Sequence, residues 1–245
     1  QIEQFTAKLL SAIIQHPMAV EKLIEIAKGL KDDDAAIDQV IDGFTDNQAL
    51  AEIGENEEMG RDEVATDIGA AAMTTDQLEE MKQRAIEMFE SCERYLEEVR
   101  KNFGDPKKLQ AYKDARAAIA YELEPVRFAV KTVTALTEHI TAHMNAVNEN
   151  IRQLRALMVD RCGYPLKQFL EEVNTRITDP TWIDEAAKSG KPYSARIEEN
   201  RPLLTHIQDQ LSVAESTALL SIADQRDFAR QVRLAQTNLA NAKAK

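Results

Sequence analysis

His139 and His143 stand four residues apart with Glu138 beside them, a spacing at which two imidazoles on one helix face can share a metal ion. A di-metal carboxylate centre in a helical bundle wants more: Glu-x-x-His pairs and further inward glutamates on neighbouring helices. The position three before His139 is Leu136, so that motif fails. Both histidines also come one place before apolar-stripe positions, Ile140 and Met144, and so flank the stripe. His16, directly before Pro17, reads as a start-of-helix residue, and His206 stands alone. We expect no metal site and no cofactor.

Other catalytic patterns are also missing. The chain has no Gly-rich phosphate loop, no G-x-S-x-G and no clustered Cys or His. Its carboxylates are spread at helical spacing along solvent faces, and no acid–base pair stands out from them. We expect no enzyme and no small-molecule substrate. Cys92 and Cys162 lie inside helical runs without CxxC spacing and read as reduced, packed thiols, in keeping with a cytoplasmic protein.

The basic residues carry more information. Arg226, Arg230 and Arg233 share one face if their helix is continuous, and with Lys243 and Lys245 they outnumber Asp227 near the end of the chain. Lys22, Lys28 and Lys31 form a second small group. On composition alone both groups also suit ordinary solvated surface. The formal charge is −12, from 42 acidic and 30 basic residues, so any contact with nucleic acid must come from a local basic strip.

The elements that place these residues are helices. In 245 residues there are only 8 Gly and 7 Pro, and aromatics make up 5%, whereas strand-rich chains need more turns and more aromatic residues. The fold class is all-α: an elongated bundle with two long helices and several short ones, interrupted by an acidic loop. Ile2, Phe5, Leu9, Ala12 and Ile13 share a face over 1–15, and Pro17 opens a helix striped by Val20, Leu23, Ile24 and Ala27. A short helix capped by Asp34 buries Ile37, Val40 and Ile41 and ends at Gly43. Residues 43–74 hold eight acidic side chains against Arg61 and read as an acidic loop. Thr74 and Gln77 form a capping box for a helix to about Asn102, striped by Leu78, Met81, Ala85, Met88, Cys92, Tyr95, Val99 and Phe103 and stopped at Gly104-Asp105-Pro106. A helix over 107–121 follows.

The longest pattern starts at Pro125 and runs through Val126, Val130, Val133, Thr137, Ile140, Met144, Val147, Ile151, Leu154 and Met158, a helix of roughly 55 Å. Shorter helices begin at Gly163-Tyr164-Pro165, at Asp179-Pro180 and after Tyr193-Ser194, and two more span 219–230 and 232–245. The organisation is then 1–42, the acidic loop 43–74, a helical region 75–214 and a final segment 215–245. No apolar run approaches the roughly 20 residues that span a bilayer, and no signal peptide opens the chain. A start at Gln1, inside a helical pattern and without Met, is expected of a piece of a longer protein.

A family likeness sits on several of these residues. The stretch Ile151-Arg152-x-Leu154, Met158, Cys162-x-x-Pro165-x-Lys167-x-Phe169, then Thr181-Trp182 and Lys191-Pro192-Tyr193-Ser194, resembles the non-conserved region of primary sigma factors of the sigma-70 family. Upstream, Gln1-Ile2-Glu3, Pro17, Leu23-Ile24, Ala36-Ile37 and Ile41-Asp42-Gly43-Phe44 are similar to what precedes the family's acidic loop. Downstream, Leu220-Ser221-Ile222, Asp227-Phe228-Ala229-Arg230-Gln231 and Ala242-Lys243 are similar to the start of the core-binding region. Departures are Tyr193 for the family's usual Trp, Ala36 where relatives can carry Arg, and Thr237 and Asn238 where relatives are more basic.

The resemblance implies a bacterial transcription-initiation factor without catalysis of its own. Its partners would be core RNA polymerase, on the β′ side, and promoter DNA in the holoenzyme, with an effect on promoter escape and no membrane contact. Candidate DNA contacts are Lys28, Lys31, Arg226, Arg230 and Arg233; candidate polymerase contacts are Glu87, Glu90, Glu97 and Glu98. The alternatives are a helical adaptor or scaffold, and a ferritin-like metal protein that the missing Glu-x-x-His pairs argue against.

Overall fold

The structure is a computed structural model that describes residues 9–31, 36–44 and 75–243. The chain divides into two compact units, residues 19–137 and residues 1–18 with 138–245.

Helix α1 (Pro17–Lys31), which from Ala19 on belongs to the unit of residues 19–137, begins at the proline, as its free first-turn position allows. It buries Val20, Leu23, Ile24, Ala27 and Leu30. The long helix α2 (Thr75–Asn102) turns back at Gly104, where the Asp105 side chain accepts the Lys107 N–H at 2.9 Å, and α3 (Leu109–Leu123) packs along it. Met81, Ala85, Met88, Cys92 and Val99 of the expected stripe are buried, with Phe89 and Leu96 beside them. The expected cap Asp34, the Thr74 capping box, the positions Ile2 and Phe5 and residues 45–74 of the acidic segment lie outside the described residues.

The structure corrects two helices. Ile37–Gln39 is a single 3₁₀ turn, and Ile41–Phe44 is a strand, β1. It pairs antiparallel with β2 (Val126–Phe128), where the sequence pattern had placed the start of the longest helix. Val126 and Phe128 point inward and Arg127 outward, the period of two of a strand. Gly43 sits at an irregularity in the pairing with φ +152°, a backbone that L side chains rarely adopt. The Arg84 guanidinium lies 4.1 Å over the Phe44 ring, and the Ala129 N–H donates to Val40 O at 3.0 Å.

The longest helix, α4, therefore runs only from Val130 to Arg155, and Val130 is exposed rather than part of the stripe. It passes into a π-helical turn, Ala156–Arg161, closed by Cys162 N–H to Leu157 O and Tyr164 N–H to Met158 O, both 2.9 Å. Gly163 supplies the left-handed residue, φ +84°, that such a stop requires.

The other unit is built from the later part of α4, α5 (Leu166–Arg176), α6 (Pro180–Lys188), α7 (Ser194–Ala218) and α8 (Ile222–Lys243), together with a helical stretch over 9–13. Asp179 caps α6 through the Thr181 N–H at 2.9 Å, with Pro180 in the first turn. Leu154, Met158, Phe169, Trp182, Ile197, Leu204 and Leu211 form the centre of its core. The two final helices expected from sequence are one: α8 is continuous through Gln231.

Candidate interaction surfaces

Helix α8 is preceded by Ser221, whose hydroxyl accepts the Asp224 N–H at 3.1 Å. Ile222, Gln225, Phe228 and Val232 are its buried stripe, at spacings of three, three and four. Arg226, Arg230 and Arg233 repeat beside that stripe, so continuity of the helix brings all three onto one face. The half-buried Arg226 donates to Asn174 Oδ1 of α5. Arg230 meets Asp227 at 3.1 Å, an exposed pair of little strength. Arg233 is exposed and forms no ion pair among the described residues.

Lys28 is placed differently. Its ammonium lies 3.2 Å from Glu93 of α2, and with Ile24, Ala27, Ile86, Phe89 and Glu90 it lines a shallow notch. A phosphate there would compete with a carboxylate already present. Lys31 is the last residue of α1.

On α2, Glu87, Glu90, Glu97 and Glu98 are all exposed and fall within an arc of about 100° at 3.6 residues per turn. Glu97 meets Arg100 at 2.8 Å and Glu98 meets Lys101 at 3.3 Å, whereas Glu87 accepts the neutral Gln83 amide at 3.1 Å and forms no ion pair among the described residues. Arg100 also reaches Glu21 of α1. The helix holds eight acidic and five basic side chains. The imbalance extends to the whole unit: residues 19–137 carry 27 acidic against 15 basic side chains, the rest of the chain 15 of each. All of the −12 thus falls in one unit.

The histidines do not converge. His139 is exposed; His143, half-buried, lies 3.0 Å from the Gln225 side-chain oxygen. Burial lowers the His143 pKa from 6.5, against the raising effect of Gln225, and His139 lowers it further. His16 is wholly buried: its Nδ1 accepts the Met18 N–H at 3.3 Å, and its ring meets Phe228 edge-on at 4.6 Å. Exposed His206 lies 3.3 Å from Gln210. Among the described residues no three His, Cys, Asp or Glu side chains are grouped to hold a metal.

Sequence reasoning missed a polar hub inside the unit that holds Trp182. Glu172 of α5 accepts the Trp182 indole N–H at 2.8 Å, the Tyr164 hydroxyl at 2.5 Å and the Gln168 amide at 3.2 Å. Burial raises its pKa, but the three donors and nearby Arg176 outweigh that and hold it below its ordinary 4.5. Burial and the Glu172 carboxylate push Tyr164 well above the usual phenol range. Close by, the Gln208 amide donates to Ile177 O at 3.1 Å and Asp179 O at 2.7 Å, closing the end of α5. Only the pairing of Trp and Tyr with a carboxylate one helix away hinted at this hub.

Both thiols are buried and unpaired by disulfide. No described helix is long and apolar enough to cross a membrane.

An all-helical unit with a cysteine-ended π turn, a carboxylate-bonded tryptophan and an acidic companion unit is the setting for the comparison with known proteins. A family model, the non-essential region of sigma-70, matches residues 16–215, and the chain belongs to that family. It is similar to the RNA polymerase sigma factor RpoD of Neisseria gonorrhoeae, 22% identical over 263 aligned positions that take in 99% of this chain and 40% of that protein. The chain thus spans less than half the length of that curated relative. The α8 arginines lie beyond the matched region; Lys28, Lys31 and the four α2 glutamates lie within it.

Proposed function

We propose that the chain is a non-catalytic module of a bacterial primary sigma factor, working in the cytoplasm during transcription initiation. The family match over residues 16–215 supports this reading, and the confinement of the net charge to residues 19–137 gives it a division of labour. An acidic surface repels phosphates and suits a basic protein face. Glu87, Glu90, Glu97 and Glu98 would therefore meet core RNA polymerase on its β′ side. Arg226, Arg230 and Arg233 would meet promoter phosphates, with Lys31 and the carboxylate-paired Lys28 as weaker contributors. The acidic unit would oppose tight retention on DNA and so favour promoter escape.

The test is fluorescence anisotropy of the labelled chain titrated with sigma-free core polymerase, with an equally acidic helical protein as control. Saturable binding that full-length sigma competes away, and that reversing Glu87 and Glu90 to Lys weakens, is the expected result. No binding at about 100 μM, where a contact of about −5 kcal/mol would register, transfers the case to the adaptor alternative.

A further inference from the structure

The corner between α7 and α8 is built around an unusual residue. Leu219 has φ 54° and ψ 32°, the one non-glycine residue with positive φ among those described. L side chains visit that region rarely, and one stays there when its surroundings over-determine it. Here they do. The Glu215 backbone oxygen accepts the N–H groups of Leu219 and Leu220, and the Glu215 carboxylate accepts the Ile222 N–H at 3.1 Å, closing one helix and opening the next. Leu220 and Ala218 are buried against Met18.

Gln225 completes the corner. It is 0% exposed. Its amide nitrogen donates to Leu220 O at 2.8 Å and also lies 3.4 Å from Ala214 O. With both N–H groups occupied, its oxygen must accept, and the atom at 3.0 Å is His143 Nε2 of α4. His143 therefore carries its proton on Nε2. One buried amide ties the end of α7, the start of α8 and the flank of α4 together.

We infer that Gln225 is a positioning residue: through His143 it pins the α7–α8 corner and so sets the direction of the helix that carries Arg226, Arg230 and Arg233. An apolar side chain of equal length would fill the same space, but only an amide fixes the corner to two carbonyls and an imidazole at once. The consequence for DNA rests on the function proposed above; the pin itself does not.

The experiment uses the full chain and two variants, Gln225→Met, which keeps length and loses every side-chain hydrogen bond, and the milder His143→Leu. Backbone hydrogen exchange is the first readout. Amides of Ile222–Arg226 should exchange about tenfold faster in Gln225→Met, with a smaller change in His143→Leu, while those of α5 and α6 stay as they were. Ring ¹⁵N shifts are the second: His143 should be protonated on Nε2 in the parent chain and a tautomer mixture in Gln225→Met. Uniform acceleration through α5, α6 and α8 would reduce Gln225 to ordinary core filling, and so overturn the inference. Unchanged exchange at the corner, or an Nδ1-protonated His143 in the parent chain, would overturn it too. A duplex-binding assay run alongside separates the two readings: a parent chain without DNA affinity defeats the arginine-face proposal, while exchange still decides the pin.

Discussion

Replacing Glu172 with alanine takes the acceptor away from two buried donors at once. Trp182 is 1% exposed and Tyr164 is 3%, so neither the indole N–H nor the phenol O–H finds bulk water in its present position. A buried donor left without an acceptor costs about 1–3 kcal/mol. Glu172 is itself half-buried, so water entering the vacated space recovers part of that, and the expected loss is about 2–4 kcal/mol in total. Glu172→Gln keeps an oxygen in place and forfeits only the charge assistance, about 1 kcal/mol. Trp182 is the one tryptophan in the chain, so urea unfolding followed by its emission reports the unit that contains the hub. The carboxyl is held below 4.5 in the folded chain, so its stabilising contribution is complete above that pH and is lost as pH falls through the folded value. The difference between the parent and Glu172→Gln should accordingly shrink below about pH 4.5. An alanine variant that loses less than about 1 kcal/mol, or a glutamine variant that loses as much as alanine, would refute the reasoning.

Three further outcomes are expected. Gly163→Ala should cost about 1–2 kcal/mol by chemical denaturation, a purely backbone penalty, because the added Cβ would meet only Arg196 Nη1 at 4.0 Å. The His143 pKa is lowered by folding, so the unfolded chain takes up that proton first; thermal stability should be complete above about pH 6.5 and decline as pH drops below it, less steeply in His143→Gln. Burial and the Glu122 charge push Cys92 up to about 12, and burial also raises Cys162, so a disulfide reagent at about pH 8 should label neither thiol until denaturant is added.

Most helices were legible because their signals are local. Pro17, the Gly104-Asp105-Pro106 stop, Asp179-Pro180 and the three-four stripe of α2 each fix an element within a few residues of themselves. The candidate surfaces were legible as residue types, less so as environments. That Lys28 faces Glu93 depends on the packing of α1 against α2, and that Arg226 reaches Asn174 depends on where α8 lies against α5. The continuity of α8 decided that its arginines share a face.

The sequence by itself determined the helical class, the family likeness, the acidic imbalance and most of the buried stripes, because periodicity, caps and composition act over one or two turns. Only the tertiary structure decided the rest. Four and three residues are too few to distinguish a period of two from one of 3.6, so β1 and β2 exist by pairing with each other across more than 80 residues of chain. Glu172 became a hub and Gln225 a pin for the same reason: a polar side chain away from water is stabilised by groups that pair its donors and acceptors, and Trp182, Leu220 and His143 reach these two only when the chain folds.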